Sequence, residues 1–255
     1  MKEKVKVFSN TIELNNFAAQ SFVGMAVESI AVHGRFTVAL AGGSTPKVLY
    51  RLLASDMFRA RVDWSRIFFF FGDERNVLPD NDESNFRMAN ENLFEPLKIK
   101  SENIFRWQTE LKDPEKISTD YEATLKAFFS GTNFPPSNAA GSEIPRFDLI
   151  LLGMGADGHT ASLFPFSEAL HETEKIAVAN YVEKLQTTRL TLTFPTINNA
   201  ANVIFLVAGA EKVETLKEVL EGEFQPLKFP SQNVRPKNGE LLWLIDAQCG
   251  KIIET

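Results

Sequence analysis

A histidine and an aspartate stand two residues apart in the segment LGMGADGHTASLFP, residues 152–165. His159 is the kind of side chain that transfers protons near neutral pH, and the neighbouring Asp157 could orient its ring. For an isolated Asp-Gly-His sequence, the favoured alternative is a pair that caps a turn and does no chemistry. Because the segment follows the apolar run FDLIL, we expect the pair at the end of a buried strand.

Three glycines of the same segment, Gly153, Gly155 and Gly158, have the spacing of a dinucleotide-binding loop, which alone is a weak signal. Asp157 would face the charge of a pyrophosphate, and Pro165 interrupts the helix that should begin at once. Nicotinamide or flavin binding is therefore disfavoured. We expect the glycines to form a tight turn that carries the acid and the histidine.

A metal site is also disfavoured. The chain has three histidines, His33, His159 and His171, and none has another histidine or a cysteine at ligand spacing. The single cysteine, Cys249, excludes an internal disulfide and fits a reducing, cytoplasmic compartment. We therefore predict no cofactor and no metal.

The loop AGGSTPKVLY has the features of an anion site. Gly42 and Gly43 allow a tight turn and a close approach of the backbone to a ligand. Thr45 is predicted to cap the following helix, with Pro46 at its first position. Free N–H groups near Ser44 would then meet the positive end of the helix dipole, which favours a phosphate. The alternative is a simple glycine turn before a capped helix.

Charged residues also follow two other apolar runs. Asp73, Glu74 and Arg75 end the run RIFFFFG, where charges are costly unless they are paired or bind a ligand. Glu74 fits a salt-bridged, solvated turn, whereas Asp73 and Arg75 alternate to the same side, and the arginine could clamp a phosphate or a carboxylate. Lys212, in the first turn of a predicted helix, is either solvated or placed to meet an anion.

The overall composition limits the class of partner. The chain has 255 residues, enough for one large domain (residues 1–255), and its formal net charge is −6. This balance disfavours a nucleic-acid partner, although a local pocket can still be positive. No apolar run approaches the length of a membrane span. We expect a small-molecule substrate, with no nucleic acid, no membrane and no obligatory protein partner.

Apolar runs and helical spacing predict an alternation of strands and helices. A strand is predicted near the start of the chain, and others at residues 35–41, 66–71, 147–152, 189–194, 203–208 and 241–246, with 103–107 and 175–182 as further candidates. The predicted helices are residues 11–32, 46–54, 84–94, 114–129 and 210–221, and residues 131–145 are expected to form a surface loop. The alternation predicts an α/β fold: a mostly parallel, Rossmann-like open sheet flanked by helices on both faces. Ligands of such sheets bind outside the carboxyl ends of the strands, so the loops described above are expected to meet at one site.

Taken together and in order, several segments resemble the 6-phosphogluconolactonase family, within the wider group that includes glucosamine-6-phosphate deaminases. They are LAGGSTPKVLY, FFGDERNVLPDNDESNFRM, FDLILLGMGADGHTASLFP, RLTLTFPTINNA and FLVAGAEK. The resemblance covers nearly the whole chain and implies hydrolysis of 6-phospho-D-glucono-1,5-lactone to 6-phosphogluconate at one site. The substrate contacts that it implies are Gly42, Gly43, Ser44, Arg75, Lys212 and, as a weaker candidate, Arg189. The residues that it implies around the sugar ring are His159, Asp157 and Asp73.

Two motifs separate the branches of this group. Deaminases have a sequence similar to DGHIAFNEP, with a glutamate before the proline, whereas this chain has DGHTASLFP, with Phe164 at that position. Deaminases have DEY where this chain has DER, which ends in Arg75. Ring opening and enolisation need an additional carboxylate to move protons, and a phenylalanine cannot replace it. The resemblance therefore favours a lactonase.

The resemblance implies a mechanism in which His159 acts as general base on a water molecule, with Asp157 or Asp73 orienting the imidazole. A cation, Arg75 or Lys212, could offset the developing oxyanion. The alternatives are a sugar-phosphate isomerase or deaminase of the glucosamine-6-phosphate type, and a non-catalytic sugar-phosphate sensor. The choice of acid, the range of phospholactones accepted, the oligomeric state and the role of the 131–145 loop stay open at this point.

Overall fold

The computed structural model describes residues 4–131 and 144–250, which contain nine strands. The strands are β1 (Lys4–Phe8), β2 (Phe36–Leu40), β3 (Ile67–Phe71), β4 (Asp73–Arg75), β5 (Leu149–Leu152), β6 (Ala177–Val182), β7 (Thr187–Leu192), β8 (Asn202–Val207) and β9 (Glu240–Asp246). Most of the loop predicted at 131–145 lies outside the described residues.

Six strands form a sheet in the order β1-β9-β8-β5-β2-β3, in which every neighbouring pair is parallel. The central strands β2 and β5 are buried along their whole length, as expected for apolar strands covered on both faces. The edge strand β1, with the sequence KVKVF, pairs with β9 and exposes its two lysines. The predicted parallel α/β sheet is confirmed.

Helices flank this sheet. They are α1 (Thr11–His33), α2 (Ser44–Ala54), α3 (Asn85–Ala89), α4 (Glu95–Leu97), α5 (Pro114–Ser130), α6 (Phe194–Ile197), α7 (Val213–Glu221) and α8 (Ala247–Gly250). The longest, α1, ends at His33, and its C-cap is Gly34, whose φ of 77° suits a residue without a side chain. Across residues 4–131 and 144–250, none of the helices combines the length and the apolar character that a bilayer crossing requires.

The start of α2 differs from the prediction. The N-cap is Gly43, with a φ of 101°, and not Thr45, so the helix begins at Ser44. Glycine adopts this backbone conformation without the steric cost that a side chain would add. The chain therefore turns earlier than predicted, and Ser44 and Thr45 both lie in the first turn.

Three other predicted elements differ from the structure. The helix predicted at 84–94 has Ser84 as its N-cap and continues through a π turn into α4, which ends at Leu97. The strand candidate at 103–107 makes only a single bridge, at Ile104, among the described pairings. The strand predicted at 189–194 ends at Leu192, because Pro195 lacks an N–H for strand pairing and suits the first turn of α6.

A second, antiparallel sheet has the order β4-β7-β6. Gly72 joins it to the first sheet: its N–H donates to the Leu40 carbonyl (2.9 Å), and its carbonyl accepts from the Leu192 N–H (2.8 Å). β4 therefore leaves the end of β3 and enters the second sheet at once. This second sheet was not predicted from the sequence.

Phenylalanine rings support the sheet edge from which β4 departs. The Phe70 ring packs against Phe105, Phe128 and Phe147 at centroid distances of 4.7, 5.1 and 5.2 Å. Such aromatic pairs add to the free energy gained from burial alone. The packed rings give β3 a rigid base from which the site residues that follow it project.

Candidate active site

A cavity of about 460 Å³ opens at the carboxyl end of the parallel sheet. Its walls come from the loops after β2, β3, β5 and β8 and from the small antiparallel sheet. All nine candidates from the sequence line it: Gly42, Gly43, Ser44, Asp73, Arg75, Asp157, His159, Arg189 and Lys212. The structure thus brings these residues together, as expected for loops that follow parallel strands.

The loop after β5 holds the histidine and the aspartate in contact. His159 Nδ1 lies 2.5 Å from Asp157 Oδ1, and the turn is closed by a bond from the Gly155 N–H to the His159 carbonyl (2.9 Å). Burial alone would raise the pKa of Asp157, but the hydrogen bond and charge of His159 and the nearby Lys184 ammonium hold that pKa well below its usual range. Among the described residues, His159 Nε2 has no hydrogen-bond partner, and His159 is one of the residues that line the cavity.

Two glycines of this loop have distinct structural roles. Gly158 adopts a φ of 81°, which favours a residue without a side chain. A Cβ at Gly155 would overlap the Nδ1–Cε1 edge of the His159 ring. The first glycine therefore makes the turn, and the second lets the backbone pack directly against the imidazole.

The two candidate acids have different partners. Asp73 is buried, and its Oδ2 accepts from Ser162 Oγ (2.7 Å) while its Oδ1 accepts from Asn85 Nδ2 (3.2 Å). Asp157, in contrast, contacts the imidazole itself. The geometry therefore favours Asp157 as the acid that orients His159.

Glu74 does not lie in a solvated turn, so that expectation is wrong. It is only 3% exposed and accepts backbone N–H bonds from Arg75, Asn85 and Phe86 at 2.8, 2.7 and 2.8 Å. Burial raises the pKa of Glu74, and these N–H bonds oppose that effect. Its carboxyl group joins β4 to the start of α3, where the helix N-terminus favours negative charge.

Two arginines face each other across the small sheet. Arg75 on β4 lies directly opposite Arg189 on β7. Arg75 Nη1 donates to the Glu83 carbonyl (2.5 Å), whereas the Arg189 guanidinium makes no hydrogen bond within the described residues. Burial and the charge of Arg75 lower the pKa of Arg189. Like charges so placed repel one another, and a bound anion would offset the repulsion.

The amino-terminal end of α2 is open toward the cavity. Within the described residues, no side chain caps Gly43. Gly42 packs so closely on the Asn85 side chain that a Cβ there would overlap it. Uncapped N–H groups and the hydroxyl of Ser44 therefore point to an anion site at this end of the helix.

Lys212 follows β8 at the opposite wall. It ends a 3-10 turn, Ala210–Lys212, that precedes α7, so the helix predicted from residue 210 begins slightly later. Its ammonium makes no ion pair with any described residue. A lysine at a helix N-terminus without a counter-charge is electrostatically unfavourable unless an anion binds there.

The sequence reasoning missed several residues of the cavity wall. Lys184 Nζ lies 3.0 Å from Asp157 Oδ2, reaching it from the turn between β6 and β7. Ser162 and Asn85 hold Asp73, and Phe164, noticed only as a replacement for glutamate, stacks on His159. No motif signals Lys184, because its contact depends on the hairpin register. Ser162 and Phe164 lie within the quoted DGHTASLFP motif, which was the available signal for them.

The described residues hold no cluster of three or more histidine, cysteine or acidic side chains suited to a metal ion. What the cavity offers is a proton-transfer pair, cationic side chains and an open helix end at the carboxyl edge of a parallel sheet. These features place the chain among α/β proteins that handle charged small molecules.

Comparison with known proteins narrows this class. The family model described as glucosamine-6-phosphate isomerases/6-phosphogluconolactonase matches residues 9–243. The chain therefore belongs to the glucosamine-6-phosphate isomerase/6-phosphogluconolactonase family.

Several similar proteins, by sequence and by structure, are named 6-phosphogluconolactonase. The chain is 40% identical to 6-phosphogluconolactonase from Nostoc sp., over 98% of both chains, and 40% identical to that from Synechocystis sp., with the same coverage. A structure of 6-phosphogluconolactonase from Trypanosoma cruzi superposes with a TM-score of 0.86 at 29% identity, covering all of this chain and 98% of the other. A monomeric glucosamine-6-phosphate deaminase has a TM-score of 0.79 at 21% identity, which shows a shared fold only.

Proposed function

We propose that the chain hydrolyses 6-phospho-D-glucono-1,5-lactone to 6-phosphogluconate, a step of the oxidative pentose phosphate pathway. The relatives named 6-phosphogluconolactonase support this substrate and reaction. The structural observation that carries the proposal is the contact between His159 and Asp157, with Nε2 open to a cavity lined by cations.

In the proposed mechanism, Asp157 accepts the Nδ1 proton of a neutral imidazole, which leaves the lone pair of Nε2 facing the cavity. Nε2 takes a proton from a water molecule while the water oxygen attacks the lactone carbonyl carbon. The resulting imidazolium then gives this proton to the ring oxygen as the carbon–oxygen bond breaks. The products are the carboxylic acid and a hydroxyl group, and the carboxylic acid then ionises in solution.

The phosphate of the substrate is proposed to bind the open end of α2, through Gly43 and Ser44, and the cations Arg75 and Lys212. Arg189, opposite Arg75, is proposed to contribute a further positive charge. Gly42 permits the close approach of this loop to Asn85, and buried Asp73 is proposed to face the sugar hydroxyls. These assignments place the phosphate and the proton-transfer pair at different parts of one cavity.

The isomerase or deaminase alternative is disfavoured by one residue of the cavity wall, Phe164. Phe164 occupies the position where the deaminase motif has its glutamate, and the ring packs on His159 instead of offering a carboxylate. We further propose that the chain acts in the cytoplasm as one domain, residues 1–255, with a phosphorylated sugar lactone as its partner and no obligatory protein partner.

The test is to mix purified protein with freshly generated 6-phosphogluconolactone and to follow acid release. Because the lactone also hydrolyses spontaneously, the reference is the His159→Ala protein at the same concentration. We expect rapid hydrolysis by the wild type and no release of ammonia from glucosamine 6-phosphate in a parallel assay. Equal rates for the wild type and His159→Ala proteins would refute the proposal.

A further inference from the structure

Phe164 lies almost flat against the candidate catalytic histidine. The ring centroids of Phe164 and His159 are 4.1 Å apart, and their planes differ by 22°. Phe164 is buried, at 9% exposure, yet it is not part of the hydrophobic core that the other buried aromatic residues form. Its burial therefore comes from the walls of the cavity, of which the imidazole is one.

The backbone around Phe164 is held by a polar network. Its carbonyl accepts from both the N–H (3.2 Å) and Oγ (2.8 Å) of Ser167. Asn180 Nδ2 then donates to Ser167 Oγ (3.0 Å) and to the Ser162 carbonyl (2.8 Å). Phe166 adopts a φ of 59°, which is unfavourable for a bulky residue and persists only where surrounding contacts fix the turn. The backbone that carries the Phe164 ring is thus held by contacts other than the stack.

One edge of the imidazole is also occupied. Asp157 binds Nδ1, and the backbone of Gly155 packs against the Nδ1–Cε1 edge. With the face covered by Phe164, the ring has little freedom to rotate about its side-chain bonds. The nitrogen left open is Nε2, which the proposed mechanism uses.

We propose that Phe164 is a positioning residue that holds His159 Nε2 in line with the bound lactone and stabilises the imidazolium formed during the reaction. An aromatic face is electron-rich and attracts a cation stacked on it, so the contact strengthens as the imidazole gains its proton. The inference rests on the proposed function and deepens it, because it assigns a role to a side chain without any acid–base group.

The packing half of this proposal, that Phe164 stacks on His159 in solution, can be tested without substrate by NMR. The chain has three histidines, and His33 and His171 are exposed, so their ring protons serve as internal references. The ring current of Phe164 should move the His159 ring protons upfield of the other two, with assignment from His159→Ala. Phe164→Leu should abolish the upfield shift and Phe164→Tyr should retain it. Coincident signals for all three histidines in the wild type would overturn the proposal.

The kinetic half, that this stack increases the rate of hydrolysis, is tested with the same variants in the lactonase assay. Phe164→Leu should lower kcat about tenfold, between the values for exposed and fully desolvated cation–aromatic contacts, with KM changed less than about twofold. Phe164→Tyr should keep kcat within about twofold of the wild type, since it preserves the ring face. A matched control is Phe58→Leu, which removes a buried ring outside the cavity and should leave kcat unchanged.

A folded Phe164→Leu protein with wild-type kcat would overturn the positioning role. A loss of kcat shared equally by Phe58→Leu would do the same, since it would reflect general destabilisation. A wild-type protein without lactonase activity would overturn the proposed function and the kinetic half together, and the NMR result would still decide the packing half.

Discussion

The glycine loop after β5 and the small antiparallel sheet both line the cavity, but they assemble their side chains differently. In the loop, Asp157 and His159 are near neighbours in sequence, and their contact is fixed by one local turn. In the sheet, Arg75 meets Arg189 only because β4 pairs with the distant strand β7. From this comparison we expect the loop to carry out proton transfer and the sheet to provide the positive charges that bind the substrate.

The strongest test of this comparison is His159→Ala. Because general acid–base catalysis contributes about 10²–10⁴-fold, kcat should fall by that order, while the Kd for 6-phosphogluconate should change little. Steady-state kinetics and calorimetry measure the two quantities separately. His171→Ala, at an exposed histidine, is the matched control and should be active. An equally large weakening of 6-phosphogluconate binding in His159→Ala would show that the loop also binds the substrate, and would contradict this division of roles.

Asp157→Asn should have the next largest effect. An amide cannot stabilise the imidazolium as a carboxylate does, so kcat should fall by about 10- to 100-fold, the equivalent of a charge-assisted hydrogen bond. The corresponding Asp73→Asn variant should affect KM more than kcat, since Asp73 contacts Ser162 and Asn85 and not the imidazole. The reverse order of the two kcat losses would show that Asp73 is the orienting acid.

In the sheet, Arg189→Met should raise KM by about tenfold, since a hydrogen bond to a charged group contributes roughly 1.5–3 kcal/mol. The same change removes a repulsion between directly opposed like charges, so the thermal unfolding midpoint should rise slightly. Lys217→Met, which removes a positive charge from the exposed face of α7, should change neither quantity. A lower kcat with unchanged KM would place Arg189 in the chemical step instead.

The smallest kinetic effect is expected for Lys184→Met. Its side chain is 70% exposed, and exposed ion pairs contribute roughly 0.2–1 kcal/mol, so kcat should change less than about fivefold. Salt should weaken the wild-type contact and narrow the difference between the two proteins. A larger loss, insensitive to salt, would mean that the hairpin turn contributes to the chemistry.

The lowered pKa of Asp157 also predicts how stability depends on pH. A carboxyl group with a folded-state pKa below its unfolded value of about 3.9 stabilises the fold above that pH, and the contribution is lost as pH falls toward the folded-state pKa. The difference in unfolding free energy between the wild type and Asp157→Asn should therefore shrink as the pH falls below about 4. Urea unfolding at pH 5 and pH 3 measures this difference, and a larger difference at pH 3 would contradict the lowered pKa of Asp157.

The same contrast explains what the sequence could predict. Gly43, His159 and Lys212 follow apolar strands, and parallel strands gather their carboxyl ends, so the meeting of these residues was predictable. Lys184 was not, because no local signal fixes the register of a hairpin that returns to the site from another sheet. Glu74 was misjudged for a related reason: two of the three N–H groups that it binds, those of Asn85 and Phe86, reach it only after β4 and α3 pack together.

The pairing of β1 with β9 has a consequence for how the chain reaches this structure. On the ribosome β1 is made before β9, its neighbour in the sheet, and the strands β2 to β8 lie between them in sequence. β1 therefore has no partner strand while β2, β3, β5 and β8 are synthesised. Its exposed lysines, Lys4 and Lys6, discourage pairing with other chains during that interval. Closure of the sheet edge by two distant segments is thus expected to be a late step of folding.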